Sequence, residues 1–404
     1  MQFNRWHIMG GMLFLGGAVL VALALLPSPS ALLPAATASL EPKPAFTATP
    51  EPLIPTATAL LSNATPTAIL PSATAQPPTP SATADAAIPL TPDSLPTAQD
   101  FHFPEHELWR LGVSVPLNSP TVYNLAALRV GWVMNWNAFR APPVPAGVKF
   151  AQTVRFKGGV LKPDAATLTA IAAANPGATW LISNEADVRW QDNVTPEVYI
   201  TLYHEAYTAI KAGDPGAIVA AGGIAQPTPL RFRYLDLILE GYNQAYGEPL
   251  PAQAWHIHNY MLREERDSWG VDIPPGLPDA TGMLYEIDDS GNLDVFRSQI
   301  WAFRRWMAER GYGGQPLLVS EFGIPMPEDY GFPLERVQTF LRETWSFFLT
   351  ATDAGLGNSA DGGRLVQAWC WYSLGDPTYA TGNLVNLDSF AWTPLGRVWM
   401  RLVE

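Results

Sequence analysis

Two glutamates stand directly after apolar stretches at distant points of the chain. Glu185 closes the stretch Trp180–Asn184, and Glu321 closes Leu317–Ser320. Because a carboxylate beside a buried strand is costly to desolvate, such a residue usually has a chemical role. Two carboxyl groups that face one site supply what hydrolysis of a glycosidic bond requires. One is protonated and donates to the leaving oxygen, and the other is ionised and attacks the anomeric carbon.

The two glutamates end the fourth and seventh of eight apolar runs. Such runs predict parallel strands covered on both faces. Thr195-Pro196-Glu197 predicts a helix start, with an N-cap, a first-turn proline and an acidic first turn. The runs are Leu111–Val115, Leu128–Asn135, Val148–Phe156, Thr179–Asn184, Ile218–Gly223, Ala254–Tyr260, Pro316–Phe322 and Leu365–Tyr372. Further helices are predicted at Lys162–Ala174, Leu230–Tyr246, Asp294–Arg310, Leu334–Thr352 and after Pro394.

Eight strands alternating with helices over residues 101–404 predict a (β/α)8 barrel, an α/β fold. A dinucleotide-binding sheet is not favoured, since no glycine-rich phosphate loop follows the first run. In such a barrel the chemistry lies at the carboxyl ends of the strands. We therefore expect Glu185 and Glu321 to face the same mouth.

Asn184-Glu185 after the fourth strand, with Ser320-Glu321-Phe322-Gly323 after the seventh, resembles the clan A glycoside hydrolases. These are retaining barrel enzymes that include cellulases and β-xylosidases. The resemblance implies that Glu185 is the acid/base and Glu321 the nucleophile. It also implies that Asn184 hydrogen-bonds the 2-hydroxyl of the sugar.

Other positions add to the resemblance. His258-Asn259-Tyr260 is similar to the His-x-Tyr of the clan, whose tyrosine lies close to the nucleophile. Trp371, on the eighth strand, is similar to its sugar-stacking tryptophan. Trp136, just after the second strand, is a further candidate for stacking on a sugar ring.

The chain also departs from the clan pattern, because Ala186-Asp187 follows Glu185 where proline is common. The expected arginine of the second strand and histidine of the third have no clear counterparts either. A second hypothesis therefore stays open: a catalytically inactive barrel that binds glycan at the surface or has a structural role in the envelope.

The amino-terminal hundred residues have a different character. Residues 8–26 are apolar and uncharged, long enough to span a bilayer, and follow Arg5, which predicts a signal anchor or a signal peptide. Residues 27–100 are rich in Pro, Thr, Ala and Ser and predict a disordered stalk. The domain at residues 101–404 would then lie outside the cell or at its surface, joined to the membrane if residues 8–26 are retained.

Net charge and cysteine content limit the classes of partner that we expect the chain to bind. A net charge of −13 argues against nucleic acid, which requires clustered Lys and Arg. The single cysteine, Cys370, cannot form an intramolecular disulfide, and no third ligand accompanies His256 and His258, so we expect neither metal nor cofactor. The expected partner is a carbohydrate; the identity of its sugar and the oligomeric state do not follow from the sequence.

Overall fold

A computed structural model of the chain describes residues 101–115 and 124–404. The predicted membrane segment at 8–26 and the predicted stalk at 27–100 lie outside these residues. Within the described residues, no helix is both long and apolar enough to cross a membrane.

The described residues form nine strands in one parallel sheet. Its spatial order is β3-β2-β1-β9-β8-β7-β6-β5-β4. Only Ala151 separates β3 from β4, so both ends of this order belong to one stretch of chain, and the sheet closes into a ring. The strands are β1 (Leu111–Ser114), β2 (Trp132–Met134), β3 (Lys149–Phe150), β4 (Gln152–Val154), β5 (Thr179–Ile182), β6 (Ile218–Ile224), β7 (Ala254–His258), β8 (Leu317–Phe322) and β9 (Ala368–Trp371).

Seven α-helices accompany the strands in the described part of the chain. They are α1 (Leu125–Leu128), α2 (Ala165–Ala174), α3 (Pro196–Gly213), α4 (Pro229–Tyr246), α5 (Leu293–Glu309), α6 (Leu334–Thr350) and α7 (Pro394–Val403). The predicted barrel is confirmed, with β3 and β4 together forming the third of its eight strands. The second predicted run begins too early, because Leu128 ends α1 and Arg129 has a left-handed φ of 49°.

Alternation along the strands separates two apolar layers. One cluster draws on strand residues such as Met134, Leu181, Ala220 and Cys370 and fills the interior of the barrel. The other cluster, which we call the outer layer, contains the intervening strand residues and the apolar faces of the helices. The carboxyl ends of the parallel strands meet at one end of this barrel, which we call the mouth.

Candidate active site

Glu185 and Glu321 both lie at the mouth. Glu185 follows β5, and Glu321 is the penultimate residue of β8; they are only 9% and 5% exposed. The backbone that carries Glu185 is unusual, since Ser183 has a φ of 66° and Glu185 one of 49°. Non-glycine residues adopt this left-handed conformation only where the surrounding structure holds them in it.

One imidazole contacts both carboxyl groups. His258, the last residue of β7, places Nδ1 2.9 Å from Oε1 of Glu185. Its Nε2 lies 3.3 Å from Oε1 of Glu321. Two glutamates that are distant in sequence are thus joined through a single buried ring.

Two aromatic side chains orient the carboxylate of Glu321. The indole Nε1–H of Trp136 donates to Oε1 at 2.6 Å, and the hydroxyl of Tyr260 lies 3.2 Å from Oε2. An indole can only donate a hydrogen bond, so the oxygen that it contacts must accept. These two hydrogen bonds lower the pKa of Glu321, in opposition to its burial, and fix the orientation of its carboxylate.

The electrostatics of the cluster favour retention of a proton. Burial raises the pKa of Glu321 and the charge of Glu185 adds to this, although His258 opposes the shift. Burial by itself would lower the pKa of His258, but the charge of Glu321 and the hydrogen bond to Glu185 outweigh it, and the pKa is raised. Like charges in a buried site disfavour simultaneous ionisation, so burial and mutual repulsion favour a proton within the cluster.

The other histidine of β7 lies in a different environment. His256 contacts the hydroxyl of Ser320 and the carbonyl of Ile182, both at 3.0 Å. Burial lowers its pKa to about 3, so its ring is neutral. In the described part of the chain, no group of His, Cys, Asp and Glu side chains could hold a metal ion.

Trp371 ends β9, but its side chain points outward, away from the mouth. Its side chain is fully buried, packs on Phe322 and Phe340 of the outer layer, and donates to the carbonyl of Gly382 at 2.8 Å. Strand alternation explains the correction, because Trp371 points to the same side of β9 as Trp369, toward the helices. A fully buried indole offers no face to a sugar.

Tyr372 is the aromatic residue that follows β9 at the mouth. Its ring centroid lies 6.1 Å from that of Trp136 and 6.4 Å from that of Tyr260. Its hydroxyl donates to Asp376 at 2.6 Å. The alternation of the last strand could have indicated this residue, because Tyr372 is one position beyond Trp371.

Asn184 is buried beside Glu185. Its backbone N–H donates to Asp192 at 2.9 Å, and its side-chain amide lies 3.4 Å from Oε1 of Gln191. The predicted contact with a sugar hydroxyl stays a prediction. A second charged cluster, formed by Asp187, Arg231 and Glu264, lies nearby and was not predicted from the sequence. In the sequence, the cluster was indicated only by Asp187, an acidic residue two positions after Glu185.

Comparisons with known proteins bear on the fold. No family model matches the chain, and no curated protein matches it. The solved structures do. A GH128 subgroup II endo-β-1,3-glucanase from Pseudomonas viridiflava is 17% identical, with a TM-score of 0.50, and the match covers 72% of this chain and 96% of that one. The chain therefore shares its barrel fold with that solved structure.

Two further solved structures have lower scores. The GH128 subgroup II endo-β-1,3-glucanase from Sorangium cellulosum is 16% identical, with a TM-score of 0.47, and the match covers 73% of this chain and 99% of that one. The GH128 subgroup III curdlan-specific exo-β-1,3-glucanase from Blastomyces gilchristii, in complex with glucose, is 17% identical, with a TM-score of 0.46 and coverage of 73% and 98%.

Proposed function

We propose that the chain is a retaining glycoside hydrolase that cleaves a β-linked glucan, with Glu321 as nucleophile and Glu185 as general acid/base. The proposal agrees with the residue roles implied by the resemblance to the clan A glycoside hydrolases. The observation that carries it is the contact of His258 with both carboxyls at the mouth of a hydrolase-type barrel.

The hydrogen bonds suggest how the two carboxyls differ in protonation. Trp136 and Tyr260 both donate to Glu321. When the proton of the cluster lies on Glu185, His258 is neutral, so it can donate through Nε2–H to Glu321 and leave Nδ1 as an acceptor. A protonated Glu185 can then donate to Nδ1, which assigns the proton to the acid and the charge to the nucleophile.

In the first step an oxygen of Glu321 forms a bond to the anomeric carbon. The bond from that carbon to the leaving oxygen breaks, and the leaving oxygen takes the proton of Glu185. In the second step a water oxygen attacks the same carbon from the vacated side. Glu185 accepts the proton of that water, the bond to Glu321 breaks, and the sugar is released with its original anomeric configuration.

A β-1,3-linked glucan is the substrate that we propose first. The solved structure from Pseudomonas viridiflava, which shares the fold, is an endo-β-1,3-glucanase by description. The aromatic rings of Trp136 and Tyr372 lie beside the carboxyl pair and offer apolar faces of the kind that pack on sugar rings.

A trapping experiment tests the mechanism. The barrel domain is incubated with a 2-fluoro glycoside of a β-1,3-linked glucose disaccharide that carries a good leaving group. We expect one covalent label on the peptide that contains Glu321, and an initial β-anomeric product from soluble β-1,3-glucan by NMR. Label on another residue, or an initial α-anomer, would contradict the assignment. Binding of glucan without label or product would support the inactive glycan-binding barrel.

We also propose that residues 8–26 hold the protein at the outer side of a membrane and that residues 27–100 are a spacer. Fractionation of cells that express the full chain tests this. We expect the full chain in the membrane fraction and a variant without residues 1–26 in the soluble fraction. Recovery of a shortened full-chain product from the medium would indicate cleavage instead of anchoring.

A further inference from the structure

Three charged side chains without exposed surface lie behind the segment that carries Glu185. Arg231, on α4, contacts Asp187 through Nε and Glu264 through Nη1, and each of the three is 0% exposed. Glu185, His258 and Glu321 make the contacts described above and do not belong to this cluster. The cluster therefore requires an explanation of its own.

Asp187 connects the segment after Glu185 to the neighbouring strand. Both of its carboxylate oxygens lie 3.2 Å from the backbone nitrogen of Ala225, directly after β6. Asp192 has the corresponding role on the other side, where it accepts from the backbone nitrogens of Asn184 at 2.9 Å and Phe156 at 2.8 Å. The candidate acid/base is thus held between two buried aspartates.

Glu264 connects the cluster to the long segment 261–292 after β7. Its carboxylate accepts from the backbone N–H of Met283 at 2.7 Å and from the amide of Gln226 at 3.1 Å. Arg231 also donates through Nη2 to the carbonyl of Val271 at 3.2 Å. One guanidinium therefore binds the start and the middle of this segment and, through Asp187, the segment of Glu185.

A second connection joins the same two segments nearer the surface. Arg189, four residues after Glu185, contacts Asp267 and lies 3.1 Å from Asp272. Long segments at the mouth of a barrel commonly form part of the substrate site. The position of Glu185 is thus tied to that of segment 261–292 at two depths.

We propose that Arg231 is a positioning residue for catalysis, which holds Glu185 in register with the leaving oxygen by binding Asp187 and Glu264 together. The proposal rests on the function proposed above and deepens it. A buried ion cluster contributes little net stability compared with apolar side chains, so its value lies in the geometry that it imposes. Only a guanidinium offers the planar set of donors needed to bind two carboxylates and a carbonyl at once.

The environment of Asp187 agrees with this role. Burial raises its pKa to about 6, Arg231 opposes the shift, and the charge of Glu185 adds to it. Asp187 and Glu185 are therefore close enough to interact electrostatically. A displaced Asp187 would change both the backbone that carries the acid and the field around it.

The test compares two aryl glycosides of a β-1,3-linked glucose disaccharide, one with a dinitrophenyl and one with a phenyl leaving group. Only the phenyl substrate requires a proton from the acid. The measured quantity is kcat/KM, which reports the glycosylation step for both. In R231K we expect the loss on the phenyl substrate to exceed the loss on the dinitrophenyl substrate by about tenfold or more, since acid catalysis contributes roughly 10²–10⁴-fold.

The control is R304K. Arg304 is also a fully buried arginine, but it binds the carbonyls of Gln315 and Leu365 before β8 and β9, at the end opposite the mouth. We expect it to lower thermal stability and to leave the ratio between the two substrates unchanged. If R231K does not fold, D187N decides in its place, because it keeps the shape of Asp187.

The outcomes are distinct. The proposal is supported if the ratio of kcat/KM on the dinitrophenyl substrate to kcat/KM on the phenyl substrate rises in R231K or D187N but not in R304K. Equal losses on both substrates overturn it and leave the proposed function intact. A wild-type protein that hydrolyses neither aryl glycoside nor β-1,3-glucan contradicts the proposed function itself.

Discussion

The two ends of the barrel both bury charged side chains, but with opposite balances. At the end before the strands, Arg110 contacts Glu107 and Asp361, and Arg364 contacts Glu107. Arg110 also donates to the carbonyl of Gln367 at 2.9 Å, directly before β9. Two arginines thus face two carboxylates. Charges that balance in this way leave no buried charge unpaired, so they can hold loop connections in place without a further role.

At the mouth the balance is lost. Among the described residues, His258 is the one basic side chain that contacts Glu185 and Glu321. Arg231, in the adjoining cluster, is already paired with Asp187 and Glu264. An excess of buried carboxyl groups raises pKa values and is costly to maintain. The comparison indicates that an imbalance of buried charge, more than burial itself, distinguishes the end with the proposed active site from the opposite end.

The largest expected difference separates E321Q from R110M. E321Q removes the proposed nucleophile, so we expect kcat/KM on β-1,3-glucan to fall on the order of 10⁴-fold or more with little change in melting temperature. R110M leaves Glu107 and Asp361 short of a partner, so we expect the free energy of unfolding to fall by about 3 kcal/mol or more.

Denaturant unfolding and initial rates per folded molecule check both variants. R110M should retain turnover per folded molecule. Full activity in E321Q, or lost turnover in a folded R110M, would remove the proposed distinction between the two ends.

The next effect is that of H258N on the pH profile. When it is protonated, His258 lowers the pKa of Glu321, so the loss of this imidazole should raise that pKa. Because the nucleophile must be ionised, activity is lost as pH falls through this pKa, and the acid limb of kcat/KM should move to higher pH. We also expect a loss of about 10²-fold at the optimum.

H256N is the matched control for H258N. Burial holds the pKa of His256 at about 3, so this ring carries no charge in the working range. We expect H256N to leave the acid limb in place. Equal shifts in both variants would mean that the profile reports a general disturbance of β7.

A smaller effect separates two adjacent aromatic residues. We expect Y372A to raise KM by roughly fivefold, since loss of an aromatic contact costs on the order of 1 kcal/mol. We expect W371F to leave KM unchanged and to lower the melting temperature, because Trp371 packs in the outer layer. Steady-state kinetics and thermal unfolding check the pair, and a raised KM in W371F alone would restore Trp371 to the substrate site.

The subtlest effect concerns stability against pH. Burial raises the pKa of Asp187 to about 6 in the folded state, above the ordinary value of 3.8. The folded protein then binds this proton more tightly, so the associated stability is present below pH 3.8 and is lost as pH rises through about 6. The amide introduced by D187N cannot titrate, so this variant should show a shallower fall in unfolding free energy over this window, measured by denaturant titration. An unchanged slope would contradict the raised pKa.

Much of the barrel could be predicted because each strand carries its own signal. Each of the eight predicted runs overlaps a strand, and the helix predicted from Thr195 begins at Pro196. The errors lie at the ends, as at Leu128, where a short apolar helix precedes the strand. Apolar content alone does not distinguish the two, because both bury the same side chains.

The site could be predicted less completely. Residues at strand ends were identifiable because a barrel brings those ends together. Trp136, Tyr260 and His258 each contact Glu321, and His258 also contacts Glu185. Trp371 was assigned to the mouth although alternation directs it outward. Arg231 could not be identified, because an arginine in an amphipathic helix ordinarily faces solvent.

The sequence by itself determined the number and order of the strands, and hence which residues stand at the mouth, because hydrophobic patterning and chain order are local properties. Tertiary structure alone decided which of these side chains meet. The contact of His258 with two distant glutamates, and the burial of Arg231 between Asp187 and Glu264, depend on strand register and on the paths of loops after the strands. Those features are set by packing between segments far apart in the chain, and no single segment encodes them.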